Sequence, residues 1–471
     1  MSFLDRERSV AKPGFSRWLV PPAALAVHLS IGQIYAYSVF NEPMSRLLGV
    51  TEAGAGDWSL ATLGWIFTIA LAVLGASAAI FGKWLERVGP RMAMFASACC
   101  FAGGFLVAAF GVASHQIWLI YLGHGVLGGI GLGLGYISPV STLIKWFPDR
   151  PGMATGMAIM GFGGGAMVAS PLSVALMNRF STDTTVGVAP TFVTMGIIYF
   201  VFMMFGVFTV RVPPAGWKPA GYVAPTTAKK LVTNANVDAD TAIRTPQFWF
   251  LFVVLCLNVT AGIGVLGQAS VMIQEMFSVN SVGEGAAVTA AAAAGFVGLL
   301  SLFNMAGRFF WSSVSDYIGR KNTYSIFFLL GAVLYFLIPR FGASGNVVLF
   351  VVSFCLILTM YGGGFATIPA YLRDLFGTMQ VGAIHGRLLL AWSLAAVVGP
   401  VLVNYIRQGQ INSGIPAAQA YSVTMYIMAG LLLVGFISNL MVREVDASYH
   451  FEETKTATPG ASAVAATGRA N

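Results

Sequence analysis

Charged side chains are scarce in this sequence of 471 residues. Only 9% of the residues are Asp, Glu, Lys or Arg, whereas 57% are hydrophobic. A soluble core does not need so large an apolar fraction. The mean hydropathy of +0.77 is typical of a chain that is solvated mostly by lipid. The shortage of charge therefore excludes a soluble globular protein and indicates a membrane protein.

Cysteine is also rare, and its positions exclude two kinds of site. The four cysteines lie within apolar runs and none has metal-ligand spacing with a histidine: Cys99, Cys100, Cys256 and Cys355. No disulfide framework or zinc site is implied. The sequence lacks a Gly-x-x-x-x-Gly-Lys-Ser/Thr phosphate loop, which argues against an ATP-driven pump. No acid-base pair or metal cluster occurs in the apolar runs, so neither an enzyme nor a bound cofactor is predicted.

Long apolar runs are abundant. Twelve of them approach the ~20 residues that cross a hydrocarbon layer of ~30 Å. They are residues 18–40, 58–81, 92–113, 116–142, 153–177, 191–211, 247–274, 286–311, 323–339, 346–370, 388–406 and 419–442. The first run is too long for a removable signal peptide and lacks a small-residue cleavage site. The sequence predicts an all-α integral membrane protein with twelve transmembrane helices.

Lysine and arginine are distributed unevenly between the two sets of connecting segments. With the N-terminus inside, the cytoplasmic segments carry 21 of these residues and the outer loops carry 4. Positive residues collect on the cytoplasmic side of short loops. Both termini are therefore predicted to be cytoplasmic in a multi-pass protein of the cell (inner) membrane. The net charge of +8 follows from the same bias, so no nucleic-acid partner is predicted.

An internal repeat divides the chain. The acid and glycine of the segment from Glu86 to Gly89 recur 230 residues later, as Asp316 and Gly319. The same shift, within one residue, pairs Tyr136 with Phe365, Pro139 with Pro369, Gly156 with Gly386 and Pro171 with Pro400. Such symmetry predicts two six-helix halves of the same orientation, with a substrate site between them near the midplane. The predicted parts are an N-terminal tail (1–17), the halves 18–211 and 247–442, a cytoplasmic linker (212–246) and a disordered tail (443–471).

Arg308 lies inside an apolar run, where a buried arginine costs at least ~3 kcal/mol. Intramembrane charges usually face a cavity and bind a substrate or ion. Ser301, Asn304 and Arg308 share one helical face, so a carboxylate there would meet a guanidinium and an amide. The alternative is a structural arginine satisfied by backbone carbonyls or water.

The acid that is followed three residues later by glycine and then by basic residues resembles the loop signature of the major facilitator superfamily. The resemblance covers nearly the whole chain and implies a latch of charged hydrogen bonds that breaks when the halves rock. The expected latch residues are Glu86, Arg87, Arg91, Asp316, Arg320 and Lys321. Glu86 replaces the usual aspartate and Ser312 the usual first glycine. Alternatively, the basic residues only set the topology.

A narrower resemblance involves the segment from His28 to Gly49, the motif from Asn304 to Arg308 and the Gly-rich segment from Met360 to Tyr371. These are similar to the oxalate/formate antiporter family and its bacterial monocarboxylate (lactate) transporter relatives. The resemblance implies that Arg308 binds the substrate carboxylate. The oxalate exchanger has a lysine in the eleventh span for a second carboxylate, but Trp392 occupies that place here. One carboxylate is therefore favoured.

Aromatic residues are expected around the apolar part of a small acid. The candidates are Tyr35, Tyr136, Tyr361, Phe365 and Trp392. Helical aromatics more often serve as ordinary packing or belong to the interface belt. Tyr136 and Phe365 are favoured because they are related by the repeat and sit beside Gly135 and Gly364.

His28 shares a face with Tyr35 and is a candidate for proton coupling, because histidine titrates near neutral pH. A satisfied core histidine is the alternative, as it is for His124. Animal monocarboxylate transporters carry an aspartate one turn before the arginine, where this chain has Asn304. No fixed carboxylate relay is therefore expected at Arg308.

The residues and the resemblances together predict a secondary active transporter of a small, lactate-like organic monocarboxylate that works by alternating access. Proton symport is the preferred coupling, and a monomer in the lipid bilayer is expected. One alternative is an exchanger of the oxalate/formate type. Another is a transporter-like sensor that binds an anion without moving it. The sequence leaves open the exact acid, the direction of flux and the stoichiometry.

Overall fold

A computed structural model of the protein describes residues 3–222, 231–266, 268–283 and 287–451. Within these ranges the chain is helical and forms no β-strand. Twelve helices are long and apolar enough to cross a membrane. Parts of the predicted tails and linker, namely residues 1–2, 223–230 and 452–471, lie outside the described residues.

The twelve membrane helices are numbered α1 to α12 in chain order. They are α1 (Arg17–Met44), α2 (Leu60–Val88), α3 (Pro90–Ala113), α4 (Ile117–Trp146), α5 (Pro151–Phe180), α6 (Val188–Thr209), α7 (Pro246–Leu266), α8 (Ala290–Ile318), α9 (Arg320–Ala343), α10 (Val347–Phe376), α11 (Val381–Asn412) and α12 (Ser422–Met441). The prediction of an all-α membrane protein with twelve transmembrane helices is confirmed.

The 230-residue repeat is visible in how the helices begin and end. The side chain of Ser59 caps α2 by accepting the N–H of Thr62, and Thr289 caps α8 in the same way. Both helices end at a glycine in the left-handed region, Gly89 with φ of 85° and Gly319 with φ of 88°. A residue with a side chain is strained there, which explains the glycine of the loop signature.

Several predicted spans are too short. Residues 82–91 lie between the predicted spans 58–81 and 92–113, yet α2 runs to Val88 and α3 begins at Pro90. Segment 373–387 is likewise mostly helix, since α10 ends at Phe376 and α11 begins at Val381. A helix can extend beyond the hydrocarbon layer, and its charged residues lie in that extension. Hydropathy therefore underestimates the length of the helix.

The seventh span was predicted to continue to residue 274. The structure instead ends α7 at Leu266 and forms a separate short helix at Ala269–Met276. α1 also changes its winding: it is α-helical over Val20–Ile31 and tighter, with 3₁₀ geometry, over Gly32–Phe40. Tyr35 lies in the tighter part, a position where a functional hinge is common.

Both ends of the described chain lie on one face, which is called the terminal face below. Ala11 donates to the carbonyl of Val212, and Phe451 donates to the carbonyl of Asn236 in the linker. Part of the tail predicted to be disordered, residues 443–451, is therefore ordered against the linker and α7. Gln247, for example, donates to the carbonyl of Glu444 at 2.8 Å.

The two halves have their most extensive contacts along two helix pairs, α5 with α8 and α2 with α11. Small residues allow this close approach. A Cβ atom at Gly156 would overlap the hydroxyl of Ser312 on α8, and one at Gly386 would overlap the backbone of Ala78 on α2. Because Gly156 and Gly386 are related by the repeat, the two crossings are equivalent.

Candidate functional site

Arg308 lies in α8 and is fully buried. Its Nε atom donates to Oδ1 of Asn304 at 3.1 Å, one turn earlier on the same helix. Neither Nη1 nor Nη2 makes a hydrogen bond of ordinary geometry within the described part of the chain. The hydroxyls of Tyr35 and Tyr136 are close enough to interact with the guanidinium. Asn304 therefore orients the group while its two terminal nitrogens remain available.

Glycines on two neighbouring helices make room for the arginine side chain. A Cβ atom at Gly163 on α5 would lie 2.7 Å from Nε of Arg308 and 2.9 Å from its Cδ. A Cβ atom at Gly362 on α10 would lie 3.0 Å from Cγ of Arg308. The Gly-rich segments of α5 and α10 thus form the walls of the space that Arg308 occupies.

The aromatic residues predicted from the sequence converge around this point. The ring of Trp392 lies 4.6 Å from Phe365, 5.4 Å from Tyr136 and 6.5 Å from Tyr35, measured between ring centroids. Tyr361 lies 5.3 Å from Phe365. Its hydroxyl is 3.3 Å from that of Tyr35, which joins α10 to α1 and so one half to the other.

Phe162 completes this group, although sequence reasoning did not select it. Its ring centroid lies 5.2 Å from Tyr35 and 5.4 Å from Trp392. The guanidinium carbon of Arg308 is 5.8 Å from Phe162 and 5.1 Å from Phe365, within cation–π range. An aromatic residue between Gly161 and Gly163 was the available signal. The name aromatic cage is used below for Tyr35, Tyr136, Phe162, Tyr361, Phe365 and Trp392.

Several donors at the aromatic cage make no hydrogen bond of ordinary geometry among the described residues. Besides the two arginine nitrogens, these are the hydroxyl of Tyr136 and Nε1 of Trp392. Each unsatisfied buried polar group costs about 1–3 kcal/mol, so buried polar groups are rarely left unpaired. A small anion with two oxygens would accept from Nη1 and Nη2 together. Rings on several sides would contact its apolar part.

His28 lies beside the aromatic cage, with its ring centroid 5.4 Å from Tyr136. Its Nδ1 is 2.6 Å from the carbonyl of Ala158 and its Nε2 is 3.2 Å from the carbonyl of Tyr136. All three residues belong to the N-terminal half. His124 lies elsewhere in that half and stacks on Tyr37 with a centroid separation of 4.2 Å.

The two predicted latch acids each reach the other half at the terminal face. Asp316 accepts hydrogen bonds from the backbone of Gly152 and Met153 at the start of α5, both at 2.9 Å. Glu86 accepts from the backbone of Gly382 at the start of α11, at 3.1 Å, and pairs with Lys145. Each predicted acid therefore contacts the other half. The group that donates to it is the N-terminus of a helix rather than a basic side chain.

The predicted basic residues bind within their own halves. Arg320 joins Asp316 to Asp374, and Lys321 donates to the carbonyls of Leu440 and Val442. Arg91 is buried and donates to the carbonyls of Phe3, Arg8 and Val210. Arg87 is exposed. These hydrogen bonds support the acids or the tails within one half.

Hydrogen bonds between the halves lie at the terminal face or at mid-depth. Thr155 donates to the carbonyl of Ala366 at 2.6 Å, and Ser393 donates to the carbonyl of Leu71 at 2.8 Å. Near the opposite face, the described side chains pair with residues of their own half, as Arg407 does with Glu275. The molecule is therefore closed at the terminal face.

A family model described as Major Facilitator Superfamily matches residues 15–303 and 296–468. The chain belongs to the major facilitator superfamily. Because the members of this superfamily are membrane transporters, the chain is a multi-pass transporter and not an enzyme.

The chain is similar to two curated relatives and to one solved structure. The chain is 28% identical over 389 residues to the oxalate:formate antiporter of Oxalobacter formigenes, which covers 82% of this chain and 83% of that protein. It is 25% identical over 334 residues to apicoplast pyruvate carrier 1 of Toxoplasma gondii, covering 60% and 59%. The proton:xylose symporter XylE shares the fold with a TM-score of 0.69 and 14% identity, over 91% of this chain and 96% of that one.

One contact of this major facilitator chain involves the linker. Asp240, in the short helix Ala239–Ala242, pairs with Lys83 of α2 and with Arg387 of α11. The hydrogen bonds from Lys83 and Arg387 lower the pKa of the Asp240 carboxyl to about 2. Arg387 is thus engaged at the terminal face, away from the aromatic cage.

Proposed function

We propose that this protein is a secondary active transporter that moves a small organic monocarboxylate, such as lactate, by alternating access. The observation that carries the proposal is the guanidinium of Arg308, which is buried against the aromatic cage and has two terminal nitrogens that make no hydrogen bond of ordinary geometry to the described residues. A carboxylate would satisfy both nitrogens in a bidentate pair. It would also neutralise an intramembrane charge that has no acidic partner among the described residues.

Several features favour one carboxylate. Among the residues that the structure describes, Arg308 is the only arginine or lysine at the aromatic cage, and the place of a second cation is taken by Trp392. The indole of Trp392 offers a neutral donor that suits a hydroxyl or keto oxygen better than a second carboxylate. The rings of Phe162 and Phe365 would contact a short apolar chain. The similarity to an oxalate:formate antiporter and to a pyruvate carrier supports the same class of small carboxylates.

Proton symport is the proposed coupling, with His28 as one candidate for the proton. The proposed setting is the inner membrane, with the terminal face in the cytoplasm. In that orientation the 21 lysines and arginines of the tails, the linker and the loops on that side obey the positive-inside rule. In that orientation the face that is closed in this structure is the cytoplasmic one.

Anion exchange of the oxalate/formate type is the second candidate. The observation in its favour is the 28% identity to an oxalate:formate antiporter over most of both chains. An exchanger needs no proton and carries a different anion on each half of the cycle. The two candidates therefore differ in what drives uptake, which can be measured directly.

The test is uptake of labelled L-lactate into proteoliposomes, with and without an inward proton gradient. Wild type is compared with Arg308→Lys, which keeps the charge but loses the planar pair of donors. The matched control is Arg340→Lys, because Arg340 is exposed and contacts the ring of Phe336. We expect gradient-stimulated uptake in wild type and the control, and a loss of at least tenfold in Arg308→Lys.

Each other outcome decides between the candidates. If lactate does not enter, but labelled oxalate enters vesicles preloaded with formate, symport is wrong and exchange is correct. If lactate and oxalate both bind to the purified protein without entering vesicles, the protein is a sensor. If Arg308→Lys transports like wild type, Arg308 is a structural residue and the proposed site is wrong.

A further inference from the structure

A second buried histidine lies between the halves near the aromatic cage. His385 is 1% exposed and belongs to the first segment of α11, Val381–Leu388. Neither of its ring nitrogens has a hydrogen-bond partner among the described residues. A buried imidazole without a partner is unusual, because its nitrogens lose the hydrogen bonds that water would give. Imidazole is also the side chain best suited to take and give up a proton near neutral pH.

The surroundings of His385 connect it to the substrate site. Its ring centroid is 5.8 Å from that of Tyr136, and Tyr136 is 5.4 Å from Trp392. The hydroxyl of Tyr136 likewise makes no hydrogen bond of ordinary geometry among the described residues, and it lies close to the guanidinium of Arg308. Tyr136 also packs against His28, with a ring-centroid distance of 5.4 Å. Tyr136 therefore contacts the ring of His385 and also lies beside the arginine.

The position of His385 links it to the opening of the terminal face. It lies three residues, or about 4.5 Å along the helix, beyond Gly382. The backbone of Gly382 is held by Glu86 from the other half at 3.1 Å. When the halves separate at this face, that hydrogen bond breaks and α11 leaves Tyr136. The imidazole is thus sealed in the present state and becomes accessible from the terminal face after opening.

The charged and titratable groups around His385 come from several elements. Glu86 and Lys83 lie on α2, Tyr136 on α4 and His28 on α1, while Asp240 of the linker holds Arg387 two residues further along. None of them hydrogen-bonds to the imidazole in the described structure. For α7, α10 and the rest of α11, the structure records no ion pair to His385 within the described ranges.

We propose that His385 is the binding site of the co-transported proton, and that a carboxylate on Arg308 permits its protonation. This inference rests on the proposed function. In the empty site the guanidinium is uncompensated, so a second buried cation nearby is unfavourable. A bound carboxylate cancels the first charge, and one proton then bonds to a ring nitrogen to give the imidazolium. After the terminal face opens, the proton leaves to that side and no bond of the substrate changes.

His28 is less suited to this task. Both of its ring nitrogens face carbonyl oxygens of α5 and α4, and α1, α4 and α5 all belong to the same half. Rocking of one half against the other leaves those contacts intact. His385, in contrast, sits on one half and packs against Tyr136 of the other, so its environment changes in every cycle.

The experiment uses full-length protein in proteoliposomes that contain a pH-sensitive dye. Two quantities are measured in each preparation: counterflow of labelled L-lactate, which needs no net proton movement, and acidification of the lumen per lactate. We expect His385→Gln to retain counterflow and to lose at least nine-tenths of the acidification. The matched control is His124→Gln, since His124 is equally buried with both nitrogens unpartnered but lies inside one half. It should retain both activities.

The outcomes separate this inference from the proposed function. Wild type without lactate counterflow contradicts the proposed function. Wild-type acidification that persists in His385→Gln overturns the role of His385 alone. If His385→Gln loses counterflow as well, proton uptake on lactate binding is measured by calorimetry in buffers of different ionisation enthalpy. Proton uptake per lactate equal to that of wild type would then overturn the inference, and uptake reduced at least tenfold would support it.

Discussion

Asp316 at the end of α8 accepts a hydrogen bond from the backbone N–H of Gly152 at 2.9 Å, across the boundary between the halves. The residues 230 positions away, Glu86 and Gly382, repeat the contact at 3.1 Å. The first N–H groups of a helix have no partner within the helix, and its dipole favours an anion there. Each half therefore caps a helix of the other, and opening the terminal face must break both caps.

Replacing Gly382 with alanine should favour the state that is open at the terminal face. A Cβ atom at this position would lie 2.8 Å from Oε1 of Glu86, so the carboxylate must move. Loss of a hydrogen bond to a charged group costs about 1.5–3 kcal/mol, which corresponds to a population shift of at least tenfold. Spin labels on cysteines at Arg87 and Tyr317, both exposed, report the opening as a longer distance.

The control for this variant is Gly430→Ala in α12, where an added Cβ atom meets nothing within 4 Å. The four native cysteines are first replaced so that the labels are specific. A Gly382→Ala distance distribution identical to that of the control would show that the cap of α11 does not hold the terminal face closed.

Asp240→Asn tests the linker carboxylate and its pH dependence. Hydrogen bonds from Lys83 and Arg387 lower the pKa of Asp240 from 3.8 to about 2. A lowered pKa means that the pairing contributes fully above pH 3.8 and is lost as the pH falls through about 2. Between pH 5 and 8 the contribution is constant. The ratio of mutant to wild-type lactate uptake should therefore not change over this range.

The pairs of Asp240 are partly exposed, so the loss of uptake should be modest, less than about fivefold. High ionic strength should reduce the difference between mutant and wild type, because salt screens exposed charges. A ratio that changes steadily between pH 5 and 8 would mean that Asp240 titrates in the working range, contrary to the geometry.

The sequence is sufficient to predict the architecture, because a membrane span needs only a long enough apolar run. Twelve apolar runs, the asymmetry of Lys and Arg and the repeat that relates Glu86 to Asp316 each depend on single positions or fixed spacings. Part of the aromatic cage could also be predicted from the sequence. Arg308 is conspicuous inside an apolar run, and Tyr136 and Phe365 are related by the same repeat.

What the sequence lacks is information about which helices touch. Phe162 and His385 are ordinary residues of apolar segments until α5 and α11 are placed beside Tyr136. The partners of the latch acids were missed for a similar reason. A helix N-terminus carries no side-chain signal, so basic residues were expected where backbone N–H groups of Gly152 and Gly382 donate.

Gly163→Ala should impair transport almost as severely as a change at Arg308. An added Cβ atom would lie 2.7 Å from Nε of the arginine, so the guanidinium must shift and loses its alignment with Asn304. The KM for lactate should rise at least tenfold, since one charged hydrogen bond is worth about 1.5–3 kcal/mol. Gly103→Ala in α3, where nothing lies within 4 Å, is the control. An unchanged KM in Gly163→Ala would show that this glycine is not needed to position the arginine.

Trp392→Lys should change which acid is carried. Trp392 is fully buried, has a free indole nitrogen and lies at the centre of the aromatic cage, 4.6 Å from Phe365. A lysine there would supply a second cation across the cage from Arg308, as the similarity to the oxalate exchanger implies. Two buried cations are costly unless both are paired, so a dicarboxylate should bind better and a monocarboxylate worse. The ratio of oxalate to lactate uptake should rise at least tenfold in Trp392→Lys. Trp392→Phe, which retains a ring but not the donor, should leave that ratio within about threefold of wild type, because both acids lose the same neutral hydrogen bond, which is worth about 0.5–1.5 kcal/mol. A rise of equal size in both variants would mean that cage volume, rather than the number of cations, selects the substrate.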